Sequence, residues 1–179
     1  AAADRAGDLS FLSARPYDRP GVSEHETTKM LKANGVQATV MSGDFAHLVG
    51  NELIADKKYD NWQQSRQIFP EYGSVFTGDS GQGDAIFGVR AVAANDGMQA
   101  VFIHNVTGLD AAAKASFAAR GVDVFDTYVG AATAAFGKGL ITREGLTRVA
   151  DAAIAELQAT RFDDPAQRAQ LSEEYAYYP

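Results

Sequence analysis

No cysteine occurs in the chain, which excludes disulfide staples and zinc–thiolate centres and leaves the redox compartment open. Basic charge is in deficit. Sixteen Lys and Arg stand against 23 Asp and Glu, a net charge of −7, so neither nucleic acid nor an anionic membrane surface is an expected bulk partner. No run approaches the roughly 18 apolar residues needed to span a bilayer, so no transmembrane segment is predicted. Histidine is scarce: His25, His47 and His104 are scattered, lack metal-ligand spacing, and none pairs with a serine in a nucleophile elbow. Glycine-rich phosphate loops of the P-loop or dinucleotide type are missing, as are internal repeats and low-complexity tracts. What remains is 179 residues that are 46% hydrophobic, enough for a single large core.

Strand-like and helix-like segments alternate, which predicts parallel βαβ units and a doubly wound α/β sheet. An alternating strand spans Asp8 to Pro16 (DLSFLSARP). Ser23-Glu24-His25-Glu26 has the form of a capping box opening a helix to about Asn34, with Gly35 as its stop. Gln37 to Met41 is a strand ending at Ser42-Gly43-Asp44. Phe45 to Lys57 is irregular and is read as a connection or a substrate lid. Helices are predicted over Asp60 to Phe69, Asp84 to Ala94, Asp110 to Arg120 and Arg143 to Thr160, the last with Leu146, Val149, Ile154 and Leu157 on one stripe. Residues 1–160 form the expected core. The tail, 161–179, is expected to pack on that core or on a partner: Asp163-Asp164-Pro165 ends the long helix, Pro165 suits a first helical turn, and Tyr175, Tyr177 and Tyr178 supply apolar contact.

The chemistry concentrates between Lys58 and Asp84. Gly73 to Thr77 (GSVFT) is a short buried strand that delivers Asp79 to its C-terminal end, where open α/β sheets bind ligands. The run Gly78-Asp79-Ser80-Gly81-Gln82-Gly83-Asp84 follows. Its glycines let backbone approach a ligand closely, and Asp79 and Asp84 offer the hard oxygen donors that Mg²⁺ prefers. The competing reading is a strand-to-helix turn with Asp84 as helix cap. Upstream, Pro16 forces Arg15 into an extended conformation. Ser13 and Arg15 together can receive a phosphate, by hydroxyl and by bidentate guanidinium, or Arg15 is an exposed strand end. Lys58 precedes the predicted helix and can reach a phosphate or neutralise the acids around Asp79; the alternative is a solvated Lys57-Lys58 pair.

In order, Ser13, Lys58 and Gly78-Asp79 with Asp84 resemble the second, third and fourth motifs of haloacid dehalogenase-like phosphatases. FLSARP, Lys58 ahead of Ile68-Phe69-Pro70, and VFTGDSGQGD are more closely similar to the catalytic domain of the actin-patch-associated phosphatidate phosphatases. The likeness covers roughly residues 8 to 140. It implies a Mg²⁺-dependent phosphomonoester phosphatase with a phosphorylated small molecule or lipid as substrate. Asp79 and Asp84 would serve the metal, and Ser13, Arg15 and Lys58 the transferring phosphoryl group, through an aspartyl-phosphate.

The family's nucleophile is the first aspartate of a DxDxT-type motif on a strand ahead of the second motif. Only seven residues stand before Asp8, and they are too polar for a central strand. The expectation is therefore a sheet incomplete at its N-terminal side, the strand coming from a missing segment or a partner chain. Asp123-Val124-Phe125-Asp126-Thr127 resembles the motif with Phe in place of the second acid, but its order in the chain places it toward a sheet edge, ahead of an Ala-rich helix at 130–136. A circular permutation would rescue it. The alternative function is a catalytically inactive phosphate-binding interaction module.

Overall fold

Strands and helices alternate through the computed structural model, which describes residues 9–16, 22–43, 50–163 and 165–176. The first pair is β1 (Ser10–Pro16) and β2 (Thr39–Gly43), parallel, with Phe11 opposite Val40 and Leu12 opposite Met41. They are joined through α1 (Val22–Ala33). Ser23 lies inside that helix rather than at its cap, since the helix opens at Val22. Its far end closes as expected. Gly35, at φ 74°, turns left-handed; its N–H reaches Lys32 O at 3.0 Å and that of Val36 reaches Leu31 O at 2.8 Å, the pairing that glycine permits at a helix stop.

The second helix corrects the sequence reading. Instead of starting at Asp60, α2 runs from Asn51 to Ile68, so Lys58 sits within it rather than ahead of it. Its buried residues are Ile54, Ala55, Lys58, Asn61 and Trp62, a single helical stripe. Two polar members of that stripe hid the period. Residues 44–49 of the expected lid or connection lie outside the described residues, as does His47.

A second parallel sheet follows: β3 (Ser74–Asp79), β4 (Met98–His104) and β5 (Val122–Phe125), in that order. The helices between them are α3 (Asp84–Ala93) and α4 (Ala111–Ala118). Asp110 caps α4 by accepting from Ala113 N at 2.8 Å. After β5 come α5 (Tyr128–Gly137), capped by Thr127, and α6 (Arg143–Ala159), capped by Thr142. Last is α7 (Pro165–Ala176), from which the Tyr175 hydroxyl donates to Ala153 O at 3.4 Å. Tyr177 and Tyr178 lie outside the described residues. Among the described residues no helix is long and apolar enough to cross a membrane.

The chain is thus α/β with parallel sheets and a Rossmann-like arrangement, but its strands do not make one continuous ladder. Among the described residues β1 bonds only to β2, and β3 only to β4. Two helices, α2 and α3, unite the two sheets. Leu12 of β1 and Phe76 of β3 both pack against the cluster of Ala55, Trp62, Phe87 and Ala91; Asn61 donates to Ser42 O at 3.1 Å, and Trp62 Nε1 to Ser74 Oγ at 3.2 Å.

The two faces of the larger sheet are not treated alike. On one, Val101, Ile103 and Val122 are buried against residues of α3 and α4, with Phe76 at the margin. On the other, Ala100, Phe102 and Phe125 pack under Ala131, Ala134 and Ala135 of α5. That cover stops short of β3. Val75 is 48% exposed, and Thr77 and Asp79 beside it are exposed too.

Candidate functional site

Asp79 ends β3, so the strand's own geometry carries its carboxylate to the C-terminal edge of the sheet. Its Oδ1 accepts from Gly81 N at 2.8 Å, which bends the chain out of the strand. Five residues on, Asp84 opens α3 and turns back inward. Lys58 Nζ pairs with Asp84 Oδ1, while Asp79 N donates to Asp84 Oδ2 at 3.2 Å. The pair is buried, Lys58 at 9% exposure and Asp84 at 7%. Lys58 therefore answers Asp84 from the middle of α2, and the helix cap of α3 is Gly83, not Asp84.

The glycines of this run serve the carboxylate and the helices. A Cβ at Gly78 would lie 2.4 Å from Asp84 Oδ2, and one at Gly83 would lie 2.5 Å from Asn51 O and 2.7 Å from Ala55 N. Gly78 makes room for the Asp84 carboxylate, and Gly83 lets the start of α3 touch the start of α2. The expected close approach to a ligand is taken up by the protein itself.

The neighbouring loop is tied down. Ser80 N donates to His104 O at 2.9 Å, and Ser80 Oγ accepts from Val106 N at 3.0 Å and Thr107 N at 3.1 Å. Next to it lies a cluster that no sequence spacing announces. Asp79, His104 and Phe125 are opposite one another across β3, β4 and β5. His104 stacks on Phe125 with ring centroids 5.1 Å apart, and Tyr128 tilts against both. Behind them Asn105 Nδ2 donates to Asp126 Oδ1 at 2.7 Å, and Lys114 pairs with Asp126 Oδ2. Burial pushes the Asp126 carboxyl up, but its bonds from Lys114 and Asn105 outweigh that and hold it below the ordinary carboxylate value.

Lys58, Asp79 and Asp84 are therefore brought together. Ser13 and Arg15 are carried near the C-terminal end of β1, in the other sheet; Ser13 is half-buried, and the Arg15 side chain lies outside the described residues. Asp123 is not brought to Asp79. It lies opposite Phe102, two residues before the level of His104 and two strands across, a separation of about 12 Å at ordinary strand spacings. There Lys138 Nζ lies 3.2 Å from its Oδ2, an ion pair without hydrogen-bond alignment. A cleft of about 580 Å³ runs along α6 beneath Tyr128, lined by Leu140, Ile141, Val149 and Arg148 among others. None of the residues expected at the site from the sequence lines it.

As donors for a divalent cation, the Asp79 carboxylate is exposed whereas both oxygens of Asp84 already have partners. Among the described residues no group of three or more His, Asp or Glu gathers to hold a metal. Two carboxylates still suit Mg²⁺, which keeps most of its waters and takes substrate oxygens. Asp79 would touch the ion and Asp84 would hold Lys58 and the Asp79 backbone in place. No protein family, curated protein or solved structure matches the chain.

Proposed function

We propose that this chain is part of a Mg²⁺-dependent phosphomonoester phosphatase of the haloacid dehalogenase-like type, acting on a phosphorylated small molecule or a phosphatidate-like lipid. The observation that carries the reading is the convergence of Lys58, Asp84 and the Asp79 backbone at the C-terminal end of β3. A buried ammonium and an exposed carboxylate at a parallel strand end are the electrostatic parts that phosphoryl transfer needs. Bound there, Mg²⁺ would neutralise charge on the phosphoryl oxygens.

The nucleophile comes from outside these 179 residues. One of its carboxylate oxygens attacks phosphorus, the bond from phosphorus to the leaving oxygen breaks, and that oxygen takes up a proton. Water then cleaves the aspartyl-phosphate, regenerating the carboxylate and releasing inorganic phosphate. Ser13 and Arg15 bind phosphoryl oxygens from the β1 side, and Lys58 supplies positive charge from α2.

A second reading, the inactive phosphate-binding module, is favoured by one observation: the described residues supply two candidate metal carboxylates and no third acid beside them. Phosphate release from p-nitrophenyl phosphate and from phosphatidate in mixed micelles, with and without Mg²⁺, separates the two in the natural full-length protein. The phosphatase reading expects Mg²⁺-dependent release that falls by about 100-fold or more in Asp79→Asn. Release indifferent to Asp79→Asn overturns it. Phosphate binding without turnover establishes the module instead.

A further inference from the structure

We propose that Asp79 and His104 are the two protein ligands of a divalent transition-metal site that takes Zn²⁺ in preference to Mg²⁺. The two residues are opposite one another in the register of β3 and β4. Parallel partners project to the same side of the sheet and stand about 4.8 Å apart. A zinc ion held by both needs about 2.0–2.2 Å to each donor, so one ion can bridge the pair without displacing either strand. Asp79 is exposed and His104 half-buried, which lets water occupy the remaining coordination positions.

Each ligand has one atom fixed by backbone and one left over. Asp79 Oδ1 accepts from Gly81 N at 2.8 Å. His104 Nε2 lies 3.3 Å from Asp126 O. A carbonyl can only accept, so Nε2 carries the proton and, in the neutral ring, Nδ1 carries the lone pair. Among the described residues neither Asp79 Oδ2 nor His104 Nδ1 has a hydrogen-bond partner. An imidazole whose other nitrogen donates to a carbonyl is the usual form of a metal-bound histidine, because that bond sets the tautomer and the ring orientation.

Support for the ring extends outward from it. The imidazole stacks on Phe125 at an interplanar angle of 3°, and the Tyr128 ring lies 5.4 Å away. Phe125 is its register partner on β5, so one face of the ring is packed on the β5 side and the other faces Asp79 on β3. Asp126, whose carbonyl receives the Nε2 proton, is itself held by Asn105 and Lys114. The mixed donor pair sets the choice of ion. Mg²⁺ binds through oxygen and gives up its waters reluctantly, so it gains Asp79 but not His104. Zn²⁺ accepts imidazole nitrogen and carboxylate oxygen alike. The site stands on register and hydrogen bonding alone; that its ion serves phosphoryl transfer rests on the phosphatase reading.

Calorimetric titration of the intact protein with Zn²⁺ and with Mg²⁺, together with imidazole nitrogen NMR, tests the site without any catalysis. His25 and His47 are replaced by Gln throughout, which removes the competing imidazoles. One Zn²⁺ is expected per chain, bound at least about 10-fold more tightly than Mg²⁺, with coordination at His104 Nδ1 and Nε2 still protonated. Asp79→Asn should weaken both ions, whereas His104→Gln should weaken Zn²⁺ by at least about 10-fold and leave Mg²⁺ unchanged. Trp62 fluorescence checks that each variant is folded; where one is not, the His104 nitrogen signals of the chain that retains Asp79 and His104 decide the matter. Zn²⁺ affinity unchanged by His104→Gln overturns the proposal, as does coordination through Nε2 or Zn²⁺ bound no more tightly than Mg²⁺. Zinc held at His104 Nδ1 without phosphate release supports the site and removes the phosphatase reading. Mg²⁺-dependent release with His104 Nδ1 unmoved by Zn²⁺ supports that reading and removes the site.

Discussion

Replacing Lys58 by Met removes the cation from a buried carboxylate while keeping most of the side chain's packing. Asp84 is 7% exposed and Lys58 9%, so water does not take the place of the ammonium. Breaking one side of such a pair costs about 3–5 kcal/mol. Asp84 keeps the Asp79 N–H on its other oxygen, which places the expected loss near the lower figure, about 3 kcal/mol, or a fall in Tm of roughly 6–12 °C for a chain of this size. Trp62 is the only tryptophan, is 4% exposed, and lies one helical turn from Lys58 on the same stripe. Its fluorescence through a urea titration therefore reports on this packing directly. Adding Asp84→Asn to Lys58→Met removes the stranded charge yet leaves an oxygen for the Asp79 N–H, and should restore about 1.5 kcal/mol or more. A Lys58→Met midpoint within about 0.5 kcal/mol of the parent would refute the buried pair, as would a double variant no more stable than the single one.

Gly78→Ala places a methyl 2.4 Å from Asp84 Oδ2, and the overpacking is expected to cost about 1–3 kcal/mol by urea denaturation; a neutral effect means the carboxylate is not lodged there. Asp126→Asn tests a pH dependence. Because the folded-state carboxyl is held low by Lys114 and Asn105 despite its burial, its stabilisation is present above the unfolded carboxylate value and is lost as pH falls through the lower folded one. The variant should be less stable by about 1–2 kcal/mol at pH 7, and the difference should shrink as the pH is lowered below 4; a difference unchanged at acid pH contradicts the charged pairing. Arg66 donates to Phe69 O at 3.3 Å and Pro70 O at 3.1 Å, and also to Tyr72 O. Arg66→Met should cost about 1–2 kcal/mol and speed amide exchange at Tyr72, whose N–H is bonded to Phe69 O; an unchanged exchange rate there argues that the loop holds itself.

Local chemistry was legible wherever a period was uncluttered. The strand that leads to Asp79, the Gly35 stop, the Pro165 start and the long helix from Arg143 were visible in the sequence, because each is set by neighbours within a few residues, although the strand runs on to Asp79 itself and exposes alternate residues. The start of α2 was not. Lys58 and Asn61 occupy its buried stripe, and a polar residue in an apolar stripe is explained only by its partner, here Asp84 or the backbone of β2. The same limit concealed the row Asp79–His104–Phe125 and the Asp126 cluster, whose members are neighbours through strand register and not through sequence separation.

Taken alone, the amino-acid order determined the alternation of parallel strands and helices, the absence of cysteine chemistry, and the placing of Asp79 at a strand end, since these follow from composition and short-range periodicity. Only the tertiary structure decided that Lys58 and Asp84 meet, that Gly78 is glycine to accommodate a carboxylate, and that among the described residues the strands fall into two separate ladders, β1–β2 and β3–β4–β5. Those depend on which strand lies beside which, a long-range outcome of packing on α2 and α3 that no local pattern encodes.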